Sequence, residues 1–512
     1  MLARRLSLVL ATALAFLWPA LVNGGPFWFP DTSNYIRAAD AATVVLTHSP
    51  SEWSDRLAWH GQQASVQAQA PSGQIGTAKL VSTRPVLTGR SVYYGFLIYL
   101  PMRFGGPWAA VFLQALLCSA FLWYCVSIAF RDRQKPRAFW SVVGIAVLAV
   151  LTPLPFYVSM LMPDVYSGLI VLGLASLIAF WPKLLRSERI LLILCCGAMG
   201  SFHTTHMLLT VALGIIGVAI YLPRRKILRP LLATAPVLLI GIIAEIAFTT
   251  AVTHALHTKP MSPPFLSARL TAAGPGTDYL RKVCSHDRDK WALCQDVAKL
   301  PLESDSFLWS EDPNGGVFQV ANDVRKHRLA SEDKRFALAV IESDPVGVIG
   351  NSIRSTVAQL FRFNLLNFNY PQSRVANLSN KYPPGIAKSI ATTRAARNTM
   401  LTAPTVILTV LSTILSLALL FYFLFEHFTG RKPLNRNVVA IAGLLILGVL
   451  ANAAICGGLS GPHARYQMRI IWLLPYAAGL LAFARAAAYS YRSGDDPRRG
   501  TSETNHPDTV LQ

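Results

Sequence analysis

The sequence has few charged residues for its length, and few of those are acidic. Only 14% of its 512 residues are charged, with 26 Asp and Glu against 47 Lys and Arg, while 53% are hydrophobic. The mean hydropathy is +0.40. A water-soluble globule of this length needs more polar surface than this. The composition therefore excludes a soluble protein and indicates a polytopic membrane protein.

Other features are missing as well. The seven cysteines follow no metal-ligand spacing. The sequence contains no nucleotide-binding fingerprint and no internal repeat. A net charge of +21 is common in nucleic-acid-binding proteins, but here Lys and Arg cluster between apolar runs, as in loops that lie on an anionic membrane leaflet. We therefore expect the lipid bilayer as a partner and no nucleic acid.

Ten apolar runs approach the roughly 17–25 residues that a helix needs to cross a bilayer. The first follows Arg4 and Arg5; a cleaved signal peptide is its competing interpretation, but the absence of a small-x-small cleavage site favours a retained anchor. The runs at 189–203 and 206–222 are short, which favours tilted or incompletely crossing helices. The runs lie at 6–22 and near 106–130, 138–157, 164–181, 189–203, 206–222, 230–252, 404–425, 437–457 and 468–485. The sequence predicts an all-α polytopic membrane protein with about ten transmembrane helices.

The distribution of cations between alternate loops predicts the orientation. One set of loops carries clusters of Lys and Arg near 131–137, 183–189, 224–229 and 431–436, whereas the short loops of the other set hold almost none, Arg465 being the exception. Because cationic loops are retained in the cytoplasm, we expect both termini to be cytoplasmic. Asp31, Asp164, His203, His206 and the region around Arg465 would then all emerge on the outer face.

The runs also predict four parts of the chain. Residues 1–252 form a membrane module with a first external loop at 24–105, residues 253–403 a mostly helical external domain, residues 404–488 the last membrane helices, and residues 489–512 a polar, disordered cytoplasmic tail. Cys284 and Cys294 lie in the polar part of the external domain. In an oxidising compartment they are a candidate disulfide.

Two acids on the outer face are candidates for chemistry. Asp31 lies in PDTSNYIRAAD (30–40), directly after the first apolar run and four residues before Tyr35, and Asp164 lies in MPDVY (162–166). Each follows a proline and also fits a helix start, where the helix dipole favours an acid. Two such acids on one face favour a general base or a divalent cation, Mg²⁺ or Mn²⁺, held by both.

The last external loop supplies possible phosphate ligands. His463, Arg465 and Arg469 carry donors suited to phosphate oxygens, and Arg465 and Arg469 share a helix face with Tyr466 between them. An interfacial Arg-Tyr anchor is the alternative. His203 and His206 are three residues apart, but without a third ligand they favour hydrogen bonding or phosphate contact over a metal site.

The same motifs resemble those of bacterial C-class (GT-C) glycosyltransferases. PDTSNYIRAA looks like their Asp-x-x-x-Tyr start, whose first external loop carries a catalytic acid, and the stretch from Arg90 is similar to their Arg-x-Pro-x-Tyr-Pro element, with Val92 in place of the first proline. Met162-Pro163-Asp164 resembles their second acid. Arg465-Tyr466 resembles the Arg-Tyr of their last external loop, although the following proline is delayed to Pro475. The resemblance covers roughly the first 220 and the last 50 residues.

The resemblance implies a GT-C-like membrane enzyme that moves a sugar from a polyprenyl-phosphate carrier to an envelope glycan, lipid or protein. It places the enzyme in the bacterial inner membrane with its active site facing the periplasm. Asp31 would be the general base or the acid that orients the acceptor, Asp164 would assist it or bind a metal, and Arg465 with Arg90 would hold the donor phosphate. The alternative class is a transporter or flippase of lipid-linked glycans, and a polymerase or ligase of surface glycans would share the donor chemistry.

Overall fold

The fold is entirely helical in the part of the chain that the structure describes. A computed structural model describes residues 2–48, 51–53, 87–88, 91–131, 137–257 and 259–494. Two isolated backbone bridges pair Phe27 with Met160 and Leu87 with Met261. The predicted tail at 489–512 begins within the last helix, which ends at Gly494, and residues 495–512 lie outside the described residues.

The helices fall into a first membrane-rich half, a central polar stretch and a last membrane-rich stretch. The first half contains α1 (Leu2–Phe16), α2 (Trp18–Asn23), α3 (Thr32–Thr47), α4 (Val92–Ala129), α5 (Arg137–Val150), α6 (Leu154–Val158), α7 (Val165–Phe180), α8 (Arg186–Phe202), α9 (Thr204–Tyr221) and α10 (Leu228–Leu256). The remainder contains α11 (Phe265–Ala273), α12 (Pro275–Cys284), α13 (Ser304–Trp309), α14 (Asp323–Ser343), α15 (Pro345–Leu360), α16 (Gln372–Ser379), α17 (Pro384–Ala391), α18 (Ala403–Phe428), α19 (Arg436–Leu459), α20 (Ala464–Met468) and α21 (Leu473–Gly494). Short 3₁₀ helices occupy Trp181–Lys183, Leu222–Arg224, Ala292–Lys299 and Leu366–Phe368.

Eight helical stretches in the described residues are long and apolar enough to cross a membrane, or nine if α14 and α15, which meet at a 105° bend, form one broken span. The chain is therefore a multi-pass helical membrane protein. The eight stretches are Arg5–Asn23, Val92–Ala129, Val165–Lys183, Thr204–Arg224, Leu228–Ala255, Ala403–Phe428, Arg436–Leu459 and Ala464–Ala487.

The sequence predicted about ten spans, and the runs at 138–157 and 189–203 form helices shorter than the eight counted by length and composition. α5 has 14 residues and stops before Pro153, and α8 has 17 residues and stops where His203 adopts extended backbone, with φ −160° and ψ 141°. At 1.5 Å per residue these helices reach about 21 and 26 Å, less than the roughly 30 Å of a hydrocarbon core. The chain nevertheless runs between the two ends of the bundle along α8, because Glu188 at its start pairs with Arg131 after α4, whereas His203 at its end lies near Asp164.

The membrane part is organised around α7. All 16 residues of α7 are buried, because α4, α9, α10 and α19 pack around it. Outer helices such as α10 and α18 instead expose apolar side chains, among them Ile242, Ile246, Leu411 and Leu415. Such a surface fits contact with lipid rather than water.

The central stretch, predicted as one external domain at 253–403, contributes to two cores. Residues from Met261 to Val340 form a separate small core, which the Cys284–Cys294 disulfide links across two helical elements. A buried carboxylate, Asp296, pairs there with Arg325 and with Lys299, whose Nζ is 3.1 Å away.

Residues 365–400 belong instead to the main membrane core. Tyr370 accepts a hydrogen bond from the Trp28 N–H at 2.7 Å, and the Ala395 N–H donates to Asn23 Oδ1 at 2.8 Å. The Phe368 ring packs edge-on against Phe27 at 4.8 Å. This segment therefore wraps the loop that carries Asp31 and fixes its position.

Candidate functional site

Asp31 and Asp164 lie on two loops that are joined by backbone pairing. The Phe27 N–H donates to the Ser159 carbonyl at 2.9 Å, and the Leu161 N–H donates to the Phe27 carbonyl at 3.0 Å. Thr32 reinforces the pairing by donating its hydroxyl to the Leu161 carbonyl at 2.9 Å. The start of α3 and the start of α7 therefore lie side by side.

Asp164 is a buried carboxylate between two guanidinium groups. Its side chain is 3% exposed, and its Oδ1 lies 3.2 Å from Arg469 Nη1 and 3.5 Å from Arg465 Nε. Burial raises the pKa of Asp164, but the positive charges of Arg465 and Arg469 outweigh it and hold the pKa below its usual value. Asp164 is therefore ionised at neutral pH. Its side chain makes no hydrogen bond that caps α7, so the helix-cap alternative gains no support.

Arg469 is built into the protein interior. Its side chain is 2% exposed, and its Nη2 donates to Asn452 Oδ1 at 3.3 Å and contacts Cys456 Sγ at the same distance. Asn452 in turn donates from Nδ2 to the Tyr466 carbonyl at 2.8 Å. This network fixes α20, which carries Arg465, against α19.

Arg465 has unused hydrogen-bonding capacity. Its guanidinium lies 4.2 Å from the centroid of the Phe29 ring and 5.2 Å from that of Tyr466. Its Nη1 atom is buried without a hydrogen-bond partner among the described residues. A buried donor without an acceptor is costly, and an anionic ligand would remove that cost.

Asp31 completes the group of charges. It is half-buried, it makes no hydrogen bond that caps α3, and its carboxylate lies within electrostatic range of Arg465 and His203. The structure thus brings Asp31, Asp164, Arg465 and His203 together at one end of the membrane bundle. The loop charges assign all four to the same face.

The two histidines differ in whether a ring nitrogen remains able to hydrogen-bond to a ligand. His206 is buried with both ring nitrogens engaged: Nδ1 donates to the Met199 carbonyl at 2.7 Å, so Nε2 accepts from Ser167 at 2.9 Å. His203 accepts the Thr205 N–H at Nδ1, at 3.1 Å, which leaves Nε2 as the protonated nitrogen of the neutral ring. His203 is therefore the histidine able to donate to a ligand, while His206 joins α7 to α8.

Other residues singled out in the sequence lie at different distances from this group. Tyr35 is 1% exposed, and its ring packs edge-on against Tyr94 at 5.2 Å. The Tyr466 ring lies beneath both arginines. His463 is at the rim, 3.9 Å from Asp305, and burial with the charge of Arg465 lowers its pKa against the opposing effect of Asp305. Arg90 lies outside the described residues.

The donor set does not fit a divalent cation held by Asp31 and Asp164. Asp164 already faces two guanidinium groups, whose charges repel a cation. In the described ranges no group of three His, Cys, Asp or Glu side chains is placed to bind a metal. We therefore assign no chemical step to a metal.

A small cleft of 40 Å³ lies beside His203 between α4, the α8–α9 junction and α10. Glu245, an exposed acid within a span, lines it together with Ser91 and Tyr93. Intramembrane acids at such clefts are commonly functional. Glu245 therefore lies in a cleft next to the site.

Three residues that shape the site were not predicted from the sequence. Phe29 stacks on Arg465, Asn452 holds Arg469, and Arg374 lies 5.7 Å from the same Phe29 ring. Asn452 could have been identified from the sequence, because an asparagine in the middle of an apolar run is unusual. Arg374 follows Asn367, Asn369 and Tyr370, a polar and aromatic cluster that in sequence is more typical of an ordinary loop than of a sugar-binding site.

Comparisons of this chain with protein-family models, with curated proteins and with solved structures find no match.

Proposed function

We propose that this chain is a glycosyltransferase that moves a sugar from a polyprenyl-phosphate carrier to an envelope glycan, lipid or protein at the outer face of a bacterial inner membrane. One observation carries the proposal: a half-buried carboxylate, Asp31, lies within electrostatic range of Arg465, whose buried Nη1 has no partner in the described residues. A base and an anion-binding group thus share one end of a membrane bundle.

The reaction needs both groups. The acceptor hydroxyl attacks the anomeric carbon of the sugar, its proton passes to the Asp31 carboxylate, and the bond between that carbon and the phosphate oxygen breaks. The phosphate keeps the electron pair and gains negative charge. Arg465 stabilises this charge, because a fixed guanidinium in a water-poor site interacts strongly with it. Asp164 holds Arg465 in place, and Arg469 in turn holds Asp164.

We predict that Arg465→Ala weakens donor binding. Loss of a hydrogen bond to a charged group costs about 1.5–3 kcal/mol, which raises the dissociation constant for a polyprenyl phosphate by about 10- to 150-fold. Arg362→Ala, which removes an exposed cation near His463, is the matched control and should bind like wild type. Equal affinities of the two variants would show that Arg465 does not hold the phosphate. The measurement is a binding titration of the purified protein in nanodiscs.

The disulfide allows a test of the proposed orientation. The five other cysteines, Cys118, Cys125, Cys195, Cys196 and Cys456, are replaced by serine, and Cys284→Ser then leaves Cys294 as the single thiol. If residues 261–340 face the periplasm, a membrane-impermeant maleimide labels this thiol in intact spheroplasts. The version with both Cys284 and Cys294 should react only after reduction. Labelling that requires permeabilised membranes would place this unit in the cytoplasm and contradict the orientation.

A further inference from the structure

Two arginines from distant parts of the chain share the ring of Phe29. The Cζ atoms of Arg465 and Arg374 lie 4.2 and 5.7 Å from the ring centroid. Because both distances are measured to the same ring centroid, the two Cζ atoms are at most about 10 Å apart. This separation is within the range of direct electrostatic interaction. Phe29 itself lies two residues before Asp31. Arg374 is therefore a neighbour of the proposed site.

Arg374 is held in place by the protein. Its Nη1 donates to the Asn367 carbonyl at 3.2 Å, and its Nη2 lies 3.5 Å from Asn367 Oδ1. The adjacent Tyr370 ring lies 5.9 Å from the guanidinium, and its hydroxyl accepts from Trp28. The half-buried cation is thus oriented before any ligand binds.

The charges of the described residues in this region do not balance. Asp164 pairs with both Arg465 and Arg469, and Asp31 adds one more negative charge. Arg374 forms no ion pair within the part of the chain that the structure describes, and its neighbours are an amide and aromatic rings. Among the described residues, three guanidinium groups therefore face two carboxylates. A positive excess in a partly buried site favours an anionic ligand.

We propose that Arg374 is a second phosphate-binding residue, which shares the phosphate of the polyprenyl carrier with Arg465 across the edge of Phe29. The proposal rests on the proposed function and names a substrate-binding residue in the central stretch of the chain. It also explains why residues 365–400 pack on the Asp31 loop. They deliver a cation to the site.

The reaction makes a second cation useful. The sugar-linked carrier is a phosphodiester with one negative charge, and the released polyprenyl phosphate is a monoester that carries up to two. Arg374 should therefore bind the released carrier more strongly than a neutral lipid of the same chain length. The difference between polyprenyl phosphate and polyprenol isolates the contribution of charge from that of the lipid tail.

The test compares these two lipids in nanodiscs with full-length protein. Arg374→Gln is expected to raise the dissociation constant for polyprenyl phosphate about 10-fold or more, because a charge-assisted hydrogen bond is lost, and to leave that for polyprenol unchanged. Arg397→Gln removes an exposed cation of the same segment and should match wild type. An equal loss for both lipids, or no loss for either, overturns the proposal.

A second variant covers the case in which Arg374→Gln does not fold. Arg374→His keeps a planar donor that is charged near pH 5.5 and neutral near pH 8. Its preference for phosphate over alcohol should fall over this range relative to wild type, and a profile parallel to wild type overturns the proposal. If wild type itself shows no preference, the proposed function fails. If wild type prefers the phosphate and Arg465→Ala loses this preference while Arg374→Gln retains it, only the role of Arg374 fails.

Discussion

Asp31→Asn is expected to lower the rate of sugar transfer about 100- to 10,000-fold, the range of positioned general acid–base catalysis. The carboxylate accepts the acceptor proton in the proposed step, and an amide of the same shape does not. The side chain makes no cap hydrogen bond to α3, so the substitution should leave the start of this helix intact. The measurement is transfer of a labelled sugar from a polyprenyl-phosphate donor by purified protein, beside its thermal midpoint.

A control substitution distinguishes the loss of the Asp31 carboxylate from a general loss of negative charge on the outer face. Asp305 is an exposed acid near His463, with 68% of its side chain accessible, and Asp305→Asn should keep the wild-type rate. Binding of polyprenyl phosphate should survive in Asp31→Asn, since the arginines are intact. A wild-type rate in Asp31→Asn would remove Asp31 from the mechanism.

Asp164→Asn is expected to destabilise the protein by about 3–5 kcal/mol, the cost of removing one partner of a buried ion pair. Asp164 is 3% exposed and is shared by Arg465 and Arg469, so its loss removes the one carboxylate that both cations contact. Transfer activity should fall with stability, because Arg465 loses the partner that orients it. The measurement is the unfolding midpoint in one detergent, with activity assayed well below that midpoint.

The control for Asp164 is an exposed pair. Asp278 and Arg281 lie 3.8 Å apart with side chains 76% and 56% accessible, and Asp278→Asn should change the midpoint little, as surface ion pairs contribute about 0–1 kcal/mol. The two substitutions Asp164→Asn and Arg469→Gln should be less than additive, because they break one contact. Independent additive effects would contradict a shared ion pair.

Acid should weaken the same contact. The pKa of Asp164 is lower in the folded protein than in an unfolded chain, where a typical value is about 3.9. A lowered folded pKa contributes stability above the unfolded pKa, and this contribution is lost as the pH falls through the folded value. The stability difference between wild type and Asp164→Asn should therefore shrink below about pH 4.

The helical spans were predictable because a bilayer constrains sequence strongly. Runs such as 404–425 and 437–457 correspond to α18 and α19 with shifts of a few residues. The lengths of the two shorter helices, α5 and α8, depended on local backbone instead. Apolar composition continues past Pro153 and up to His203, but the proline and the extended histidine end the helices, and hydropathy does not register either.

The site residues could be predicted where it was enough to know on which side of the membrane they lie. Asp31, Asp164, Arg465 and His203 were placed on one face from loop charges, and the structure brings them together. Phe29 and Arg374 could not be found this way, because their contact joins loops far apart in the chain and depends on how 365–400 packs on 23–30. The double engagement of His206 likewise follows from tertiary packing and not from its spacing to His203.

The most direct test of the central claim is a lipid-linked sugar profile by mass spectrometry. Cells with wild-type protein are compared with cells carrying Asp31→Asn at equal expression. The proposed function predicts that a polyprenyl-phosphate sugar accumulates in the variant while one modification of an envelope glycan, lipid or protein disappears. The accumulated species names the donor. An unchanged profile, with the variant folded and inserted, would contradict the transferase and favour a transporter or flippase.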